Sequence, residues 1–354
     1  LLHRISINGI KNKRTPIPKA IADGVFTLGA LFPGAGVAGI AGCSVIGSVM
    51  TKILLKINKY LYNINQAILN INSICVCGAG TMGSGIAQVS AQAGFFTLLY
   101  DLNPEILNKA RTAIEKNLQK AVEKQKLTGE EKKNVYSRIM FTSDLQSCLA
   151  DVFIEAIVEK PAIKIALFNQ LAEINHSECI FATNTSSLSV TQLAAGIKNP
   201  ERVIGMHFFN PAPLMKLVEV VSTSYTSPAL VQELVNLARA MGKTPVVCKD
   251  SPGFIVNRVA RPFYIESLRL AEENKAGFAQ LDNLLEATGF KMGPFRLMDL
   301  IGNDVNYAVS CSVYEQMNQP ARLKPSYIQK EKVEKGEWGR KTGKGYYNYS
   351  DSQS

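Results

Sequence analysis

The run Gly78-Ala79-Gly80-Thr81-Met82-Gly83 limits what this chain can fold into more than any other segment. It follows an apolar stretch, Ile74–Cys77, and opens a segment with helical periodicity, Met82–Ala93. Glycine-rich turns are common, and a lone G-x-G-x-x-G carries little. Here strand, glycine loop and helix are joined, and Asp101 stands at the end of the next apolar stretch, Phe96–Tyr100. That combination is the signature of a dinucleotide-binding crossover. The first glycine permits a tight turn, the second lets backbone amides approach a pyrophosphate, and the third lets the helix pack close to the strand. The first helical turn, Thr81 to Gly83, then turns its amides toward the phosphates. Asp101 is placed to accept hydrogen bonds from the adenosine ribose hydroxyls and to repel a 2′-phosphate, so NAD is expected over NADP. The alternative is a structural glycine turn beside a surface aspartate.

What surrounds this unit is an α/β alternation. Further strands are expected at Val152–Ala156, Ile180–Thr183, Val203–His207, Leu217–Val221 and Val246–Cys248, with a long amphipathic helix over Pro104–Lys124. Thr128 and Glu131 form the pattern of a capping box. Strands separated by helices imply a mostly parallel sheet covered on both faces. After Lys249 the strand signals stop. Ser251-Pro252 reads as an N-cap and first helical residue, and helical patterns continue to about Lys335. The expected fold is therefore α/β: a Rossmann-like NAD-binding domain over 74–250, then an all-α domain over 251–354.

Residues 1–73 differ in texture. Of the formal net charge of +10, this segment holds +7, from Arg4, Lys11, Lys13, Arg14, Lys19, Lys52, Lys56 and Lys59 against Asp23. The basicity is thus an N-terminal feature and not a groove on the main body, and no nucleic-acid partner is expected. From Gly24 to Met50 there is no charged residue, a length that could cross a bilayer. Its seven glycines and Pro33 dilute the apolarity, so membrane association through 24–50 is the less favoured reading. The run from Lys52 to Ser73 reads as a connecting segment. No Arg/Ser-rich presequence stands out, and the first residue, Leu1, points to a start further upstream.

The 354 residues are 46% hydrophobic and 19% charged, which excludes a disordered, collagen-like or coiled-coil chain and leaves room for two cores. Seven cysteines show no paired framework, which suggests reduced thiols in the cytoplasm, with the mitochondrial matrix or a membrane surface as alternatives. Cys75 and Cys77 read as buried thiols more than as a metal pair, because no second ligand cluster is near them. With three histidines there is little room for a His-rich metal site, and no metal is expected.

Candidate chemistry gathers where strands end, since the carboxyl ends of a Rossmann-like sheet line the cofactor crevice. His207 ends one strand and is a candidate general base. Glu219 lies in the apolar strand that returns after Pro211–Pro213. If that turn brings the two strands together, the carboxylate can fix the imidazole tautomer and stabilise an imidazolium. Either residue alone is more often structural than catalytic; their joint placement after a dinucleotide fold reverses that and points to catalysis. Ser186, in Asn184-Thr185-Ser186-Ser187, follows another strand, and its other reading is a helix N-cap. Asn257, expected five residues into the helix that starts at Pro252, could instead be a packing contact.

Residues 74–349 resemble the L-3-hydroxyacyl-CoA dehydrogenases, including the bacterial 3-hydroxybutyryl-CoA enzymes. The segments that carry the resemblance are GAGTMGSGIAQVSAQAG, EAIVEK, ATNTSSLSV, GMHFFNPAPLMKLVEVV, CKDSPGFIVNRV, GPFRLMDLIG and GRKTGKGYYNY. The resemblance implies a homodimer formed through the helical domain and reversible oxidation of an (S)-3-hydroxyacyl-CoA to the 3-ketoacyl-CoA. It implies a catalytic pair of His207 and Glu219, with Ser186 holding the substrate's 3-oxygen and Asn257 in the active site. It further implies NAD contacts from Glu159, Lys164 and Lys341, and Lys124 beside the CoA phosphates. Asn117 stands where some relatives carry a CoA-contacting serine. Residues 1–73 have no counterpart in the stand-alone enzymes, and they are too few for the hydratase domain of the fused ones. Two rivals stay open: a non-catalytic NAD-binding protein on the same fold, and an alcohol substrate without CoA.

Overall fold

The computed structural model of the chain describes residues 71–349. The basic N-terminal segment, the uncharged stretch 24–50 and nearly all of the connecting run 52–73 lie outside the described residues. Eight strands, β1 (Ser73–Cys77), β2 (Phe96–Tyr100), β3 (Ile139–Thr142), β4 (Val152–Glu155), β5 (Ile180–Thr183), β6 (Val203–Phe208), β7 (Leu217–Ser222) and β8 (Thr244–Lys249), form one sheet. Their order is β3-β2-β1-β4-β5-β6-β7-β8. The pairings are parallel except for β6 with β7. The link between those two spans only 209–216, too short for the crossover that a parallel partner needs.

Between the strands lie α1 (Thr81–Gln92), α2 (Pro104–Glu123), α3 (Gly129–Ser137), α4 (Pro161–Ile174), α5 (Val190–Ala195) and α6 (Pro228–Ala240). Helix α2 starts where Asn103 caps the Glu105 amide at 2.9 Å, with Pro104 in its first turn. It buries Leu107, Ala110, Ile114 and Leu118, one helical stripe. The expected capping box closes α3, with Thr128 Oγ1 accepting from the Glu131 amide and Glu131 from the Thr128 amide. Strand β3, which follows it, was not anticipated. Its side chains Met140, Phe141 and Thr142 are only partly covered, so the short run lacks the apolar density of its neighbours. The central strands β1, β4, β5 and β6 are buried on both faces, which is why they read as unbroken apolar runs. Core side chains fill both sides of the sheet.

The remainder is helical: α7 (Val256–Glu272), α8 (Phe278–Ala287), α9 (Pro294–Ile301), α10 (Asn303–Gln316) and α11 (Tyr327–Glu334). They pack around a third core that includes Tyr264, Leu268, Phe295, Met298 and Tyr346. Two buried aspartates organise this region. Asp282 accepts from the Phe295 and Arg296 amides at the start of α9 and from Tyr347 Oη. Asp299 accepts from the Tyr346 and Tyr347 amides and from Tyr349 Oη, which ties down the closing segment. A side chain at Gly345 would stand 2.0 Å from the Asp299 carboxylate, so only glycine fits there. Among the described residues no helix is long and apolar enough to cross a membrane.

The expected start of α7 needs correction. Ser251 to Ile255 form a turn, with Gly253 at φ 70° and Phe254 at φ 47°, and the helix begins at Val256. The cap is tertiary: Glu219 Oε1 accepts from the Ile255 and Val256 amides at 3.0 and 2.9 Å. Asn257 is therefore the second helical residue.

Candidate active site

Strands β1 and β4 leave the sheet centre for opposite-going crossovers, and the crevice at their carboxyl ends is where such sheets take ligands. The loop from Gly78 to Gly83 fills it as the glycine pattern requires. Gly78 has φ 99°, and a side chain there would meet the Ala156 carbonyl at 2.7 Å. A side chain at Gly83 would stand 1.7 Å from the Gly78 carbonyl oxygen, so close packing of α1 on β1 admits nothing larger. Gly80 by contrast faces open space. No side chain caps the amides at the start of α1, so Thr81, Met82 and Gly83 present an anion-binding helix terminus. Asp101 Oδ2 accepts from the Ala79 amide at 2.8 Å and Oδ1 from the Asn103 amide at 3.0 Å. The carboxylate is thus held at the loop with lone pairs left for ribose hydroxyls. These residues fit a dinucleotide.

Next to this crevice, antiparallel pairing sets His207 directly opposite Glu219. Their side chains meet, His207 Nδ1 to Glu219 Oε2, at 2.7 Å. Glu219 is 1% exposed, and its other oxygen is the one that caps α7. Burial alone would raise its pKa, yet the bonds from His207 and from the Val256 and Ile255 amides together hold it below the usual carboxylate value. The rings of Phe209 and Phe254 flank the imidazole, with centroids at 4.6 and 5.8 Å. Asn184 Oδ1 accepts from the Phe208 amide at 2.8 Å, tying the end of β5 to the end of β6.

Ser186 is not a helix cap; Ser189 caps α5 instead. Asn257 Nδ2 donates to the Ser186 carbonyl at 3.4 Å, so the serine loop and α7 meet beside the His207–Glu219 pair. Glu159 gathers the loop by accepting from Thr185 Oγ1, the Ser186 amide and Ser187 Oγ. Glu159 is in turn 2.9 Å from Lys164, which is 1% exposed and also bonds Glu155 at 2.6 Å. Glu155 receives the Ile157 amide and Thr183 Oγ1 as well. Burial wins there and lifts its pKa despite Lys164. For Glu159 burial acts the same way, but Lys164 and the hydroxyls outweigh it and the pKa falls.

Glu155 had no sequence signal as a functional group. It reads as one more residue of an apolar strand, and only its meeting with Lys164 across nine residues of chain marks it. Lys341 pairs with Asp304 at 2.6 Å, next to Val305 on the wall of the cleft that Ser186, Glu159 and Lys164 also line. Asn117 lines a second groove with Gly80, Thr81 and the 210–213 turn, and donates to Gln88 at 3.4 Å. Lys124 is exposed at the end of α2, two turns beyond Asn117. Cys75 and Cys77 are buried with sulfurs 3.9 Å apart, and the described residues hold no cluster fit for a metal ion.

The model of the 3-hydroxyacyl-CoA dehydrogenase NAD-binding domain matches residues 73–251, and that of the family's C-terminal domain matches 253–349. The chain is 47% identical over 284 residues to 3-hydroxyadipyl-CoA dehydrogenase of Escherichia coli, which covers 80% of this chain and 60% of that protein. It is 38% identical to the mitochondrial hydroxyacyl-coenzyme A dehydrogenase of Homo sapiens, over 79% of this chain and 91% of that one. Among solved structures, (S)-3-hydroxybutyryl-CoA dehydrogenase from Ralstonia eutropha has a TM-score of 0.76 at 34% identity, covering 80% of this chain and all of that one. NAD is the cofactor this family model carries. The chain belongs to the 3-hydroxyacyl-CoA dehydrogenase family.

Proposed function

We propose that this chain is an NAD-dependent (S)-3-hydroxyacyl-CoA dehydrogenase in which His207 and Glu219 act as a base and its orienting acid. The observation that carries the reading is the 2.7 Å bond from His207 to a buried carboxylate beside the glycine loop. Because Nδ1–H donates to Glu219, Nε2 is the nitrogen with a free lone pair. Nε2 accepts the proton of the substrate's 3-hydroxyl, and Glu219 stabilises the imidazolium that results. In the reductive direction the same nitrogen returns the proton. Ser186 and Asn257 hold the 3-oxygen next to the imidazole. The amides of Thr81 to Gly83, with Asp101, Glu159, Lys164 and Lys341, hold the cofactor. When bound, NAD supplies the hydride acceptor at carbon 4 of its nicotinamide. Asn117 and Lys124 border the groove where we place the CoA moiety.

The test is reduction of acetoacetyl-CoA by NADH with purified protein. Free acetoacetate serves as the comparison for a substrate without CoA, and no turnover of either favours a non-catalytic NAD-binding protein. Proton transfer by a positioned side chain contributes about 10²–10⁴-fold, so His207→Gln should bind NADH and lose at least roughly a hundredfold in turnover. Near-normal turnover in that variant removes His207 from the base role.

We assign the second copy of a homodimer to the helical region. There Val259 and Phe290 are exposed on an apolar groove of about 650 Å³ that Ile255 and Phe263 also line. Light scattering on the purified chain should give twice the monomer mass, and Val259→Glu should lower it.

A further inference from the structure

Glu155 ends β4, fully buried, and none of the chemistry above uses it. Its Oε1 accepts from Lys164 Nζ at 2.6 Å and from the Ile157 amide at 2.7 Å, and its Oε2 accepts from Thr183 Oγ1 at 2.7 Å. Thr183 Oγ1 itself accepts from the Thr185 amide at 3.3 Å, which leaves the hydroxyl proton for Glu155. Every partner is a donor. Such surroundings suit a carboxylate and not a carboxylic acid, whose proton would need an acceptor. Lys164 also meets Glu159 at 2.9 Å, so two carboxylates share one ammonium and the group carries one surplus negative charge.

Lys164 and Glu159 alone would make a neutral pair, and Glu159 is the acid that gathers the 185–187 loop. A second buried acid adds a desolvation cost, so its presence calls for a use. Its place supplies one. Glu159 and Lys164 line a single cleft with Met82 of the glycine loop and with Ser186. Hydride transfer needs the reacting atoms at about 3–3.5 Å, so a nicotinamide that meets a hydroxyacyl group at Ser186 belongs in this same cleft. Lys341, at its border, is offset by Asp304. The oxidised nicotinamide ring is a cation and the reduced ring is neutral. We propose that Glu155 is a positioning residue that, through Lys164, leaves this wall negative and favours binding of NAD⁺ relative to NADH. The inference rests on the dehydrogenase reading above.

The experiment measures Kd for NADH from its fluorescence and Kd for NAD⁺ from its displacement of NADH, on full-length protein without acyl-CoA. Glu155→Gln keeps the shape: its carbonyl oxygen stays on Lys164 and the Ile157 amide, while its NH₂ group donates to Thr183 Oγ1. A unit charge roughly 10 Å from another, at the effective dielectric of about 20 that suits proteins, changes a binding constant on the order of tenfold. The variant should therefore weaken NAD⁺ relative to NADH by about tenfold. A purely structural support would weaken both forms alike and leave the ratio where it was. Glu159→Gln, at an exposed position, removes the same charge from the group and should move the ratio the same way. It decides the matter if Glu155→Gln does not fold, and Glu219 is kept in both. An unmoved ratio in either folded variant overturns the proposal. A wild type that binds neither form of the cofactor is a different result, because it removes the dehydrogenase reading itself.

Discussion

Replacing Glu219 by glutamine probes the proposed chemistry most directly, because the shape is kept and only the charge is removed. In the wild type one carboxylate oxygen takes the His207 Nδ1 proton at 2.7 Å while the other takes the Ile255 and Val256 amides. A glutamine must keep its carbonyl oxygen on those two amides, since leaving buried amides unmatched costs about 1–3 kcal/mol each. Its NH₂ group then faces Nδ1 and forces the proton onto Nε2. The nitrogen that should accept the hydroxyl proton no longer has a lone pair. A hydrogen bond to a charged group contributes about 1.5–3 kcal/mol, so loss of imidazolium stabilisation alone lowers kcat by roughly 10- to 150-fold. The inverted tautomer adds to that, so tenfold is the floor.

The pH dependence has a definite sign. Glu219 has a lowered pKa, so the pair is fully formed above the ordinary carboxylate range and is lost only as pH falls through the lowered value. Across about pH 5 to 9 the wild type therefore keeps the charge beside the imidazole, whereas the variant lacks it and its profile should move toward lower pH. NADH oxidation followed at 340 nm with acetoacetyl-CoA over that range, with NADH affinity from fluorescence as the folding control, reads both effects. Full activity with an unmoved profile would refute the pairing.

Two further perturbations follow from the cofactor side. Asp101→Ala should narrow the NAD/NADP preference measured as a ratio of kcat/KM values, and a wild type that already prefers NADPH contradicts the ribose assignment. Lys164→Met leaves Glu155 buried without its cation, a break that costs about 3–5 kcal/mol. Burial already raises the Glu155 pKa, and loss of Lys164 raises it further. A raised carboxyl contributes stability at low pH that is lost as pH rises, so this variant's melting temperature should fall from pH 5 to pH 8 more than the wild type's. Parallel melting curves for the two proteins would dismiss the buried triad as a pH-sensitive element.

Much of this architecture was legible along the chain because local rules dictate it. The glycine loop between strand and helix, the Thr128–Glu131 box and the Asn103-Pro104 start of α2 each depend on residues a few positions apart. The doubly buried strands announced themselves as apolar runs. Strand β3 escaped notice because its exposed and half-covered side chains give no such run. The misplaced start of α7 has another cause. Ser251-Pro252 is a sound local cap signal, but the amides of Ile255 and Val256 are satisfied by Glu219, more than thirty residues earlier.

The same division separates the cofactor loop from the rest of the site. Backbone geometry makes glycine necessary at Gly78 and Gly83, so sequence alone determined the dinucleotide crossover and, through Asp101, the expected choice of NAD. Tertiary structure alone decided that the carboxylate opposite His207 also starts α7, and that Glu155 and Glu159 share one buried lysine. Those facts depend on burial and on partners brought together from distant elements, because the energy of a charge is set by what surrounds it in space.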